Sequence, residues 1–91
     1  MAMIYGEVLL FGKDAFAHPV GAPVVAKQGN QPLGSTTVGE DHRFEIEIDD
    51  AVRGEIEVEV ALIGAAPGIV EATGEDINAT VVYNPVGKLY A

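Results

Sequence analysis

The sequence predicts an all-β, antiparallel sandwich of about seven strands, and three observations carry that prediction. Residues 44–49 and 55–60 read Phe-Glu-Ile-Glu-Ile-Asp and Glu-Ile-Glu-Val-Glu-Val. This strict alternation is the period-2 pattern of strands with one buried and one wet face. Glycines and prolines fall between the β-prone runs, giving a turn signal about every 8–12 residues. No window sustains apolar residues at helical spacing.

The elements follow in order. Residues 3–11 form a first strand, with Gly6, Val8 and Leu10 inward and Tyr5, Leu9 and Phe11 sharing the outer face with Glu7. Residues 12–19 are a loop. A second strand covers 20–28, placing Val24 and Ala26 inward and Lys27 outward. Gly29-Asn30 between two β-prone runs reads as a hairpin turn. Residues 33–38 follow, with Thr36, Thr37 and Val38 as β-branched strand formers. Gly39-Glu40-Asp41 turns the chain into the alternating strand 43–49, and 50–54 connects to its counterpart 55–63. Residues 64–68 break the pattern, 69–73 form a short strand, and Gly74-Glu75-Asp76 turns into the last strand, 77–84. Pro85 stops it, because proline donates nothing to a ladder. Residues 85–91 read as a tail or linker, and Met1-Ala2 as residues preceding a domain boundary in a longer protein. The whole chain, 1–91, is one domain.

Ninety-one residues can bury roughly 60–68% of their unfolded surface, enough for one core but not for a deep cavity beside it. Fourteen Asp and Glu against five Lys and Arg give a formal charge of −9. That field repels phosphate backbones and anionic headgroups, so nucleic acid and membrane insertion are poor expectations. The chain has no cysteine, which excludes disulfides and thiolate metal sites and leaves the compartment open.

Gly6-x-Val8, Pro19-x-Gly21-Ala22-x-Val24, Gly29, Gly34-Ser35-Thr36-Thr37-Val38 and Phe44-x-Ile46 fall in an order that resembles the carboxypeptidase-regulatory-like domains. The likeness covers residues 4–48. It implies a Greek-key sandwich of prealbumin type, also Ig-like and similar to Cna-B modules. It further implies a non-catalytic accessory or surface module that spaces and docks its neighbours, at an extracellular or cell-surface location. The partners implied are neighbouring domains or copies of the same chain, including a homo-oligomer. Where the family has a Thr-Asp-x-x-Gly turn, this chain has Val38-Gly39-Glu40-Asp41-His42.

The chemistry-bearing residues point away from catalysis. His18 and His42 are the only side chains that titrate near neutral pH unshifted. Ser35, the only serine, lies within a predicted strand and in no Gly-x-Ser-x-Gly elbow. The hydrolases resembling transthyretin end in Tyr-Arg-Gly-Ser, whereas this chain ends Lys88-Leu89-Tyr90-Ala91. The expectation is no catalytic site. A Lys-Asn isopeptide bond of the Cna-B kind would have to join Lys13 to Asn78 or Asn84 beside a buried acid, and Glu57 alternates outward. Asn78-Ala79-Thr80 matches the glycosylation sequon but lies mid-strand.

Two binding surfaces remain. Glu40, Asp41, Asp49, Asp50, Glu75 and Asp76 fall on turns, where carboxylates and carbonyls could meet the oxygen demand of Ca²⁺. No cofactor is expected besides that cation. A carbohydrate site would need an aromatic platform, and without Trp it would fall to Phe16, Tyr83 and Tyr90. The apolar outer row Tyr5, Leu9 and Phe11 is the expected interface, since a terminal strand apolar on both faces wants a cover. The tail, through Val86, Leu89 and Tyr90, is one such cover; another domain or copy is the other. Finally, six outward carboxylates on two consecutive strands would oppose one another if those strands were partners. Placement in different sheets relieves this most simply, and screening by cations or salt is the alternative.

Overall fold

A computed structural model describes residues 2–10, 19–62 and 64–83, all β-strand and turn. The strands are β1 (Ala2–Leu10), β2 (Pro23–Gln28), β3 (Gln31–Thr37), β4 (Arg43–Ile48), β5 (Gly54–Val60), β6 (Ala65–Ala66), β7 (Gly68–Ala72) and β8 (Ile77–Tyr83). They form two four-stranded sheets, β4-β1-β8-β6 and β3-β2-β5-β7, which we term sheets A and B. The inward residues of both fill the space between, and Ile4, Val24, Ile46, Ile56, Val58 and Val81 among them are at most 1% exposed.

The alternating runs behave as their period requires. Phe44, Ile46 and Ile48 of β4 and Ile56, Val58 and Val60 of β5 are buried. The intervening carboxylates face outward, and β4 and β5 lie in different sheets. Five acidic side chains, two on β4 and three on β5, therefore leave the molecule in opposite directions, and Asp49 falls in the turn between them, which removes the like-charge ladder that direct pairing would have produced.

Two expectations are corrected. The sandwich is not wholly antiparallel: β1 and β8, side by side in the middle of sheet A, run parallel from Ile4↔Ile77 to Leu10↔Tyr83. Periodicity fixes a strand's faces and says nothing of its direction. The described residues form eight strands, in keeping with the expected seven or so, and the addition is β6, a two-residue segment within the glycine- and proline-rich stretch read as a breaker. Pro67 then carries the chain from sheet A into β7 of sheet B, a corner where one extended segment switches sheets. The second strand starts at Pro23 and not at 20, because residues 19–22 form a turn. The Ala22 N–H donates to the Pro19 carbonyl at 3.0 Å, and Gly21 takes φ 83°, the conformation required at the third position of a type II turn.

The Gly29-Asn30 hairpin forms as expected, between Gln28 and Gln31, with Gly29 at φ 62°. A register shift between Ala26 and Lys27 makes Leu33 the extra residue of a bulge in β3. Ala2, expected outside the domain, pairs with Ile48 and is 2% exposed. Along the flanks, the sheets touch where a side chain is missing. A Cβ on Gly34 would lie 2.8 Å from the Glu47 carbonyl of β4, and one on Gly68 2.8 Å from the Thr80 carbonyl of β8.

Candidate functional site

The cross-strand register turns the sequence list into surfaces. On the outer face of sheet A, Tyr5 stands between Glu45 and Asn78, and Glu7 between Arg43 and Thr80. Leu9 stands beside Val82, which in turn neighbours Ala66. Tyr5 and Leu9 are 41% and 40% exposed, as their alternation with Val8 and Gly6 requires. They do not form one continuous row, since Glu7 separates them. What Leu9 joins is a strip across three strands, Leu9-Val82-Ala66, which no pattern within a single strand could have shown. Phe11, the third residue expected at this interface, lies outside the described residues.

Tyr5 forms a ridge between two hollows. A cleft of about 660 Å³ lies on one side, lined by Thr36, Thr37, Asp41, Arg43 and Glu45 as well as Tyr5. A smaller hollow of about 310 Å³ lies on the other, toward Asn78 and Thr80. At the floor of the cleft Gly6 and Phe44 face each other as cross-strand partners.

The acidic turns are spread over both ends of the sandwich. Glu40 and Asp41 sit on the β3–β4 turn; Asp49 and Asp50 on the β4–β5 turn and Glu75 and Asp76 on the β7–β8 turn lie at the opposite end. Three of these carboxylates already serve the backbone. Asp41 Oδ1 accepts the Arg43 N–H at 3.1 Å, Asp49 Oδ1 the Ala51 N–H at 2.8 Å, and Asp76 Oδ1 the Met3 N–H at 3.0 Å. The first two are the local bonds ordinary for Asp in turns, whereas Asp76 ties the β7–β8 turn to the start of β1. Among the described residues no three His, Asp or Glu gather into a group that could hold a metal ion. Arg53 braces one end: its guanidinium donates to the carbonyls of Asp50 and Val52 and lies against Gly74.

The outer face of sheet B is acidic as well. Glu55, Glu57 and Glu59 project in a row from β5, and Glu55 is the cross-strand partner of Glu71. Lys27 relieves part of this crowding through an ion pair with Glu59 at 3.1 Å. Glu57 and Glu59 stand on the same outward face of β5 and influence each other's titration. The hydrogen bond to Glu59, then partial desolvation and the Glu59 charge, holds the Glu57 carboxyl above its ordinary 4.5. The same bond, with Lys27, holds Glu59 below it.

The remaining sequence candidates are dispersed. Ser35 is exposed on β3, on the outer face of sheet B. His42 occupies the β3–β4 turn at φ 63°, its carbonyl accepting the Val8 N–H at 2.8 Å. His18, Lys13, Asn84, Phe16 and Tyr90 lie outside the described residues. Asn78 is exposed beside Tyr5, and no charged side chain is buried among the described residues, so Glu57 does not supply the buried acid of an isopeptide site. Tyr83 points into the core at 8% exposure and offers no platform for a sugar. The residue that sequence reasoning passed over as an aromatic platform is Tyr5, whose alternation with buried neighbours was the available signal. Compared with models of known protein families and with curated proteins, the chain matches none.

Proposed function

We propose that this chain is a non-catalytic sandwich module that docks neighbouring domains or further copies of itself through the outer face of sheet A. The observation that carries this reading is the Tyr5 ridge, flanked by two hollows and followed by the Leu9-Val82-Ala66 strip. On sheet B the exposed apolar side chain of Ile69 stands singly, beside Glu57 and close to Glu71, and joins no strip across strands. Tyr5 and Leu9 on a central strand, parted by Glu7 and bordered by Arg43 and Glu45, have the composition of a contact patch with polar surroundings. The resemblance of the sequence motifs to carboxypeptidase-regulatory-like domains, which accompany or space other domains without catalysing, supports the same reading.

Tyrosine-selective labelling with mass-spectrometric readout tests this. Tyr5 should label fast in dilute solution of the 91-residue chain, and slowly in concentrated solution or within the protein at its natural length. Equal labelling of Tyr5 in all three would overturn the proposal. Leu9→Asp should restore fast labelling while leaving the thermal midpoint close to that of the unsubstituted chain.

A further inference from the structure

We infer that the open edge of β3 pairs with the same strand of a second copy, joining two sheets B into one continuous sheet across a two-fold axis. β3 ends sheet B, and no described strand pairs with its outer side. The phase of its hydrogen bonding is fixed from two directions. The Val38 N–H donates to Ala22 O at 3.0 Å, and Val38 O accepts from Gly21 at 2.8 Å, so residue 38 faces β2. Thr37 is the partner of Pro23, which has no N–H to give, and the Pro23 carbonyl is turned to Ala61 of the other neighbour. Alternation along an antiparallel ladder then directs the N–H and C=O groups of Ser35 and Thr37 away from β2, into the open edge.

Charge selects the occupant. In a chain of net charge −9 most surfaces repel a second copy. Of the four edge strands, β4 carries Arg43, Glu45 and Glu47, β7 carries Glu71, and β6 is only two residues long. β3, Gln-Pro-Leu-Gly-Ser-Thr-Thr, has no charged residue. Two copies brought together antiparallel about Thr36 set Ser35 opposite Thr37 of the second copy, and Thr37 opposite its Ser35. Both pairs then exchange backbone bonds, and the outward hydroxyls meet as a Ser-Thr cross-strand pair. Pro32 and the bulge at Leu33 end the pairing on one side and hold it to this short stretch, so the association should be weak and its chains should not grow into fibres.

This inference rests on the reading of the chain as an associating module but uses a different surface, so the two can fail separately. Sedimentation velocity of the 91-residue chain, from about 10 µM to about 1 mM, covers the range expected of a small interface. The unsubstituted chain should pass from monomer to dimer. Thr37→Pro removes an edge N–H without touching a bond to β2, and Ser35→Glu adds a like charge. Both should weaken dimerisation by about tenfold or more, with unchanged circular dichroism, while Glu71→Gln on β7, at the opposite edge of sheet B, dimerises as the unsubstituted chain does. A dimer that survives both β3 substitutions and is lost in Leu9→Asp would overturn the edge and leave the sheet A reading standing. A monomer throughout would overturn the edge as well.

Discussion

Phe44 lies across Gly6. They are cross-strand partners on the inner face of sheet A, and a Cβ built on Gly6 would come within 2.0 Å of the Phe44 ring. Gly6 is there because the ring needs the space, and its backbone is ordinary strand. Gly6→Ala should therefore destabilise the domain by about 1–3 kcal/mol or more through overpacking. Urea unfolding measures this. Phe44→Leu, which shortens the opposing side chain, should recover part of the loss when combined with Gly6→Ala, a coupling that a double-mutant cycle reads directly.

His42 holds a left-handed backbone at φ 63° in the β3–β4 turn. For a residue with a Cβ this conformation is unfavourable by roughly 1–2 kcal/mol. His42→Gly should raise stability by about 0.5–1 kcal/mol, the strain relieved being partly offset by the greater freedom of glycine in the unfolded chain. The carbonyl and N–H bonds to Val8 and Gly39 belong to the backbone and survive the change. A fall in the thermal midpoint would show that the imidazole itself contributes contacts.

Glu55 and Glu71 face each other across β5 and β7. Like charges directly opposed destabilise a pair of strands, so Glu71→Lys should stabilise by about 0.5 kcal/mol. The gain should shrink as salt is added. NaCl, MgCl₂ and CaCl₂ at matched ionic strength should each raise the unsubstituted chain's midpoint alike. A rise specific to CaCl₂ would direct attention back to the turn carboxylates.

The Glu57–Glu59–Lys27 group gives stability a pH dependence of two opposite signs. Glu57 holds its proton more tightly folded than unfolded, so its contribution is complete below the ordinary carboxylate range and is lost as pH rises through the raised value. Glu59 is held low, so its contribution is present above that range and is lost as pH falls through the lowered value. Glu57→Gln should abolish the first loss, flattening the thermal midpoint just above pH 4.5. Glu59→Gln should abolish the second, just below it. Thermal melts between about pH 3 and 7, spanning carboxylate titration, separate the two.

Strand positions and strand faces were legible in the sequence because period-2 alternation is a local property. Ile46 and Ile56 are buried, and Glu45 and Glu57 turned outward, for reasons contained in their immediate neighbours. Gly29 and Gly39 marked their turns in the same way. The first two residues of the second predicted strand, Val20 and Gly21, proved instead to be turn, since only a hydrogen bond from Ala22 to Pro19 distinguishes the two. The expected interface was legible in part: Tyr5 and Leu9 are exposed as alternation requires, but Val82 and Ala66 joined Leu9 only through registers between strands far apart in the chain.

What the sequence by itself determined was therefore an all-β chain with assigned inner and outer residues, a −9 charge and the sites of most of its turns. Tertiary structure decided which strands became neighbours. It placed β4 and β5 in different sheets, ran β1 parallel to β8, set Phe44 over Gly6 and Glu55 against Glu71, and left β3 at an edge. Alternation constrains each strand against solvent, whereas pairing is a competition among all strands for the same backbone groups and the same core, settled only when the two sheets close on each other.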